Sequence, residues 1–115
     1  MNGYIENGCP VVEWKIAGKV WKTVIDTGFN SDLELPIELF EFVVMRFHTE
    51  AASTLAAGLS TVQEFYEARV TFDGQTINAL ATFVETDTIL VGTGLLRNYI
   101  LKIDFPASTV SLERQ

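Results

Sequence analysis

At 115 residues the chain has room for a single domain, spanning 1–115, with a modest core, and a second copy would help it bury a deep cleft. Its 48% hydrophobic content excludes a disordered tail, and apolar runs broken by charge or glycine are too short to span a bilayer. A net charge of −7 repels a phosphate backbone, and one cysteine with one histidine assembles neither a disulfide framework nor a zinc site, so neither nucleic acid, membrane, metal nor cofactor is expected.

The first residues, Met1 to Glu6, lack a basic start followed by an apolar stretch, so the reading is a soluble, cytoplasmic protein. Two β-rich runs, Val11 to Ile16 and Val20 to Ile25, are joined by Ala17-Gly18-Lys19 and predict a hairpin. In its second arm Trp21, Thr23 and Ile25 share one face, and the pattern breaks at Asp26-Thr27-Gly28. Pro36 can open a helix, and Leu39, Phe40, Val43, Val44 and Phe47 follow at helical spacing, so one short helix is expected there.

The Ala-, Ser- and Thr-rich stretch from Glu50 to Ser60, followed by β-type residues from Val62 to Phe72, predicts a small hairpin. Asp73-Gly74 then joins Ala68–Phe72 to Thr76–Val84, a strong two-residue turn signal between alternating strands. Thr88 to Val91 is a short apolar strand ending at Gly92-Thr93-Gly94, with one or two helical turns expected over Leu95 to Tyr99. The chain closes with strands over Ile100 to Asp104 and Thr109 to Leu112 about a turn at Pro106-Ala107-Ser108. The fold class is all-β, a small barrel or sandwich with one main short helix.

The sharpest local feature is Val24-Ile25-Asp26-Thr27-Gly28, where a carboxylate follows buried-type strand residues. An acid so placed loses hydration, at a cost of several kcal/mol unless it is paired or hydrogen-bonded, and nearby N–H groups and the Thr27 hydroxyl are the available donors. Gly28 lets a ligand backbone approach. Taken alone, the tripeptide also fits a turn that merely caps a strand.

In order along the chain stand Asp26-Thr27-Gly28 behind two apolar residues, Leu35-Pro36, Ala56-Ala57-Gly58, Asp73-Gly74, Leu90-Val91-Gly92 with Leu95-Leu96, and Ile103-Asp104-Phe105. This succession resembles the retropepsin-like aspartic peptidases, in particular the small single-domain bacterial type, over almost the whole chain. The resemblance implies an acid-protease barrel in which the Asp26 strand lies beside the strand ending at Gly92, below a flap hairpin. It also implies a homodimer acting on peptide or protein substrate. Peptide hydrolysis by this route needs one group to take a proton and another to give one, and the chain holds a single Asp-Thr-Gly.

On that resemblance the catalytic residues are Asp26, Thr27 and Gly28, with Thr27 bracing the acid pair. Phe29, Asn30 and Ser31 would line the cleft floor; Ala56, Ala57, Gly58 and Leu59 would form the tip of a flap running from about Thr54 to Gln63. Thr88, Leu90, Val91 and Gly92 would make an apolar side wall, favouring apolar residues beside the cut. Retroviral members commonly carry an Arg after the glycine matching Gly92, paired with an acid beyond the tripeptide; here Thr93 and Asn30 stand at those places, so that ion pair cannot form. Phe29 also replaces a usually small residue. A catalytically inactive dimerisation or peptide-binding module on the same fold is the alternative.

Other features read as structural. His48 and Cys9 are isolated, Gly92-Thr93-Gly94 lacks the third glycine and the βαβ unit of a dinucleotide loop, and Trp14, Trp21, Phe65, Tyr66, Phe72 and Phe83 fit core and cross-strand pairs.

Overall fold

The structure, a computed structural model, describes residues 1–54 and 58–115. Asn7-Gly8, Ala17-Gly18 and Asp73-Gly74 each hold positive φ at both positions, 51° and 78°, 54° and 80°, 51° and 75°. That backbone matches the right-handed twist of flanking strands in two-residue loops, so each dipeptide folds its neighbours back on themselves. The resulting hairpins join β1 (Asn2–Glu6) to β2 (Cys9–Ile16), β2 to β3 (Lys19–Ile25), and β6 (Ser60–Phe72) to β7 (Gln75–Val84).

The remaining strands are β4 (Leu33–Pro36), β5 (Val44–Thr54), β8 (Ile89–Val91), β9 (Tyr99–Asp104) and β10 (Thr109–Arg114). Among the described residues they form one sheet in the order β5-β6-β7-β4-β8-β3-β2-β1-β10-β9. The all-β expectation holds, and the strand carrying Asp26 does lie beside the strand ending at Gly92: β8 pairs parallel with β3 and antiparallel with β4. One register row crosses five strands, from Ile25 through Val91, Leu33 and Ala81 to Tyr66.

The helix expected from Pro36 to Phe47 is corrected. Only Ile37–Leu39 forms a 3-10 turn, continued by N–H bonds from Phe42 and Val43 to the Leu39 carbonyl, after which Val44 starts β5. Leu39, Phe40 and Val43 belong to the turn, whereas Met45 and Phe47 follow a period of two and pair with Ala68 and Tyr66. The two patterns abut and together mimic helical spacing, and pairing with β6 decides between them. The hairpin expected near Thr54 to Gln63 is therefore longer, its arms being β5 and most of β6, with a register shift between Phe47 and Thr49. Over Leu95 to Tyr99 the expected helical turns are corrected to hydrogen-bonded turns, in which the N–H groups of Leu95, Leu96 and Tyr99 donate to the carbonyls three residues back without continuing into a helix.

The core sits on one face, where Val12, Trp14, Trp21, Ile25, Leu33, Leu35, Phe72, Val91 and Leu112 are buried. Trp21, Thr23 and Ile25 share it, as the alternation of β3 requires. Trp14 joins β2 to β6 across the core: its Nε1 donates to the Thr71 carbonyl at 2.7 Å and its ring meets Phe72 edge-to-face at 4.9 Å.

Candidate active site

Asp26 stands one residue beyond the parallel β3–β8 ladder and extends it, since its N–H donates to the Val91 carbonyl at 2.9 Å. The chain then turns tightly. The Gly28 N–H donates to Asp26 Oδ1 at 2.9 Å and the Phe29 N–H to the Asp26 carbonyl at 3.1 Å. The half-buried carboxylate is thus oriented by its own loop, as a short acidic side chain at a turn can be, with Thr27 and Gly28 exposed beside it. A β-carbon on Gly28 would lie 3.2 Å from Asp26 Oδ1, tight enough that the carboxylate would have to give by a few tenths of an ångström.

The loop from Phe29 to Asp32 is held from the other side by the turn after β8. Gly92 N–H donates to the Asp32 carbonyl (2.9 Å), Thr93 N–H to Phe29 (2.8 Å) and Gly94 N–H to Ser31 (3.2 Å), and the Thr93 hydroxyl adds a second donor to the Phe29 carbonyl at 3.3 Å. Thr93 therefore fixes the loop by neutral hydrogen bonds at the place where an ion pair was absent from the sequence. Both glycines are demanded by proximity: a β-carbon on Gly92 would overlap the Ser31 carbonyl and lie 2.5 Å from that of Phe29, and one on Gly94 would overlap the Asp32 carboxylate.

Asp32 escaped the sequence reading. Its Oδ2 accepts the Leu80 N–H at 2.9 Å, joining the loop to β7 as well as to the β8 turn. Nothing local marks Asp32, because its partner lies 48 residues away.

The structure brings Asp26, Thr27, Gly28, Phe29, Asn30 and Ser31 together with Val91 and Gly92. Within that group Val91 and Gly92 are buried and back the loop from the core side, whereas Leu90 is half-exposed on the opposite face of β8. Thr88 precedes β8, at the end away from Gly92, and borders a separate cavity of about 210 Å³ with Cys9, Val11 and Val24. Gly58 takes positive φ (75°) and Leu59 is exposed at 65%; Ala56 and Ala57 lie outside the described residues. Among the described residues no group of three or more His, Cys, Asp or Glu side chains is placed to hold a metal, and no helix is long and apolar enough to cross a membrane.

No protein-family model matches the sequence, and no curated protein matches it. Two of the solved structures that are similar in architecture illustrate the likeness. A retropepsin-like aspartic protease from Rickettsia conorii aligns with a TM-score of 0.67 at 17% identity, covering 97% of this chain and 88% of that one. The simian foamy virus (mac) protease aligns with a TM-score of 0.60 at 20% identity, covering 76% of this chain and 91% of that one. With a strand-end acid locked to a neighbouring glycine turn and an architecture shared with both proteins, the chain has the retropepsin-like aspartic protease fold.

Proposed function

We propose that the protein is an aspartic endopeptidase acting as a homodimer, in which Asp26 and its counterpart in a second copy share one proton and activate a water between them. The observation that carries this reading is the restraint on Asp26: ladder bond to Val91, turn bond from Gly28, and a loop clamped by the Gly92 turn. Restraint of that kind serves a carboxylate that must meet another at a fixed distance. Two ionised carboxylates about 3 Å apart would repel by about 5 kcal/mol at an effective dielectric near 20, so the pair holds a proton and offers both an acid and a base.

In this reading Thr27 and Gly28 complete the catalytic loop, and Phe29, Asn30 and Ser31 floor the cleft. Gly58 and Leu59 belong to the flap tip over an extended peptide, and Leu90 supplies apolar wall. The test is a peptide-library cleavage assay on wild type and Asp26→Asn, run beside a mass measurement in solution. Cleavage by a dimer that vanishes in Asp26→Asn supports the reading, whereas cleavage that survives the substitution, or a protein that stays a single subunit and cleaves nothing, overturns it.

A further inference from the structure

Three aromatic rings meet at the root of the long hairpin in a mutually perpendicular corner. Phe40 and Tyr66 lie 5.3 Å apart at 85°, Phe40 and Phe83 5.1 Å at 81°, and Tyr66 and Phe83 5.7 Å at 80°. They wall a cavity of about 250 Å³ whose lining also includes Ile37, Val62 and Glu64. Phe40 is 43% exposed and Val62 63%, so the corner opens to solvent.

The rim is acidic in a way the fold does not require. Glu50 and Glu64 are direct cross-strand partners on β5 and β6, a juxtaposition of like charges that weakens a hairpin. Among the described residues neither has a salt bridge; Arg46, the cation nearest along β5, is committed to Glu67 at 3.0 Å. Glu64 Oε2 instead accepts the Tyr66 hydroxyl proton at 2.5 Å, and this bond raises the Tyr66 pKa above its ordinary value. Perpendicular aromatic faces beside two unneutralised carboxylates attract an ammonium group, through the ring quadrupoles and by charge, and reject an anion.

We infer that the Phe40–Tyr66–Phe83 corner with Glu50 and Glu64 is a subsite for an alkylammonium side chain, that of lysine or an N-methylated lysine, on a bound polypeptide. The butyl stem would lie along Val62 and Ile37 and the charge at the carboxylate rim. The subsite is distal. The row from Tyr66 to Ile25 crosses four strand spacings, ~19 Å along the sheet, about the span of five or six extended residues from the acid. Only the attachment to a polypeptide rests on the peptidase reading; recognition of the ammonium does not.

Titration of labelled protein with Nα-acetyl-lysine methylamide, its Nε-trimethyl form and the neutral norleucine analogue, followed by NMR, tests the subsite without catalysis. At least one ammonium probe is expected to shift the ring signals of Phe40, Tyr66 and Phe83, binding about tenfold more tightly than norleucine, and Glu50→Gln with Glu64→Gln is expected to abolish that preference. The relative strength of the two probes distinguishes lysine from its methylated form. Equal binding of norleucine, or no shift at these rings with either ammonium, overturns the inference. A protein that passes this test yet cleaves no peptide loses the peptidase reading alone; one whose cleavage is active but unaffected by a distal lysine, and which fails the titration, loses only the subsite.

Discussion

The Asp32 carboxylate accepts the Leu80 N–H at 2.9 Å while the Asp32 carbonyl accepts the Gly92 N–H, so one residue ties the loop after Asp26 both to the middle of β7 and to the turn after β8. Asp32→Ala leaves the partly buried Leu80 N–H without its partner, at a cost of about 1–3 kcal/mol. Asp32→Asn still offers a carbonyl oxygen and is expected to keep most of that stability. Urea unfolding of the two variants checks this; equal losses would mean that charge, not the hydrogen bond, holds the loop.

Gly92→Ala places a methyl group where the Ser31 and Phe29 carbonyls already lie. Neither backbone group swings aside as a flexible side chain would, so overpacking of about 3 kcal/mol is expected, together with a displaced Asp26 loop. Denaturant midpoints give the first effect. Peptide cleavage by the fraction still folded gives the second, and a variant with unchanged stability and rate would contradict both.

Tyr99 has a raised pKa, first because burial disfavours the phenolate and next because its hydroxyl donates to Asp73 at 3.1 Å. The folded state therefore holds this proton more tightly than the unfolded chain, whose tyrosine titrates near pH ~10. The contribution is complete below that pH and is lost as pH rises through the higher folded-state value. Melting curves at pH 8 and pH 11 are expected to show a smaller alkaline loss for Tyr99→Phe than for wild type, with a deficit of about 1 kcal/mol for the variant at pH 8.

If two Asp26 carboxyls share a proton, the reaction requires one charged and one neutral member. Loss of the shared proton halts turnover at the alkaline end and protonation of both halts it in acid, so kcat/KM is expected to trace a bell in the acidic-to-neutral range. A rate flat from acid to alkaline pH would remove the dyad from the mechanism.

Much of the architecture was legible because the hairpin turns carry their own chemistry. Asp73-Gly74 adopts positive φ at both residues, the conformation these residue types accept, and β6 and β7 follow from it. Asn7-Gly8 carries the same signal, yet β1 was not read from it: Asn2 to Glu6 is short and half-exposed, with weak alternation before the turn. The false helix after Pro36 arose where a 3-10 turn runs into a strand, and only β6, whose Tyr66 to Arg69 pair with Phe47 back to Val44, separates the two. The Asp26 turn was visible as a motif. Its restraints were not, because Val91, Gly92 and Leu80 reach it through tertiary pairing that no local pattern encodes.

β8 is three residues long and fills the gap between β3 and β4, which are close in sequence but do not pair with each other. Those two strands flank the acid-bearing loop, yet what seats them arrives some 60 positions downstream. During synthesis the first hairpins can close as they emerge, while the loop between Ile25 and Leu33 has only β7, through Asp32 and Leu80, to settle against until Ile89 to Gly94 has left the ribosome. A premature stop anywhere before that segment would release chains that keep the acid and lose the cradle that orients it.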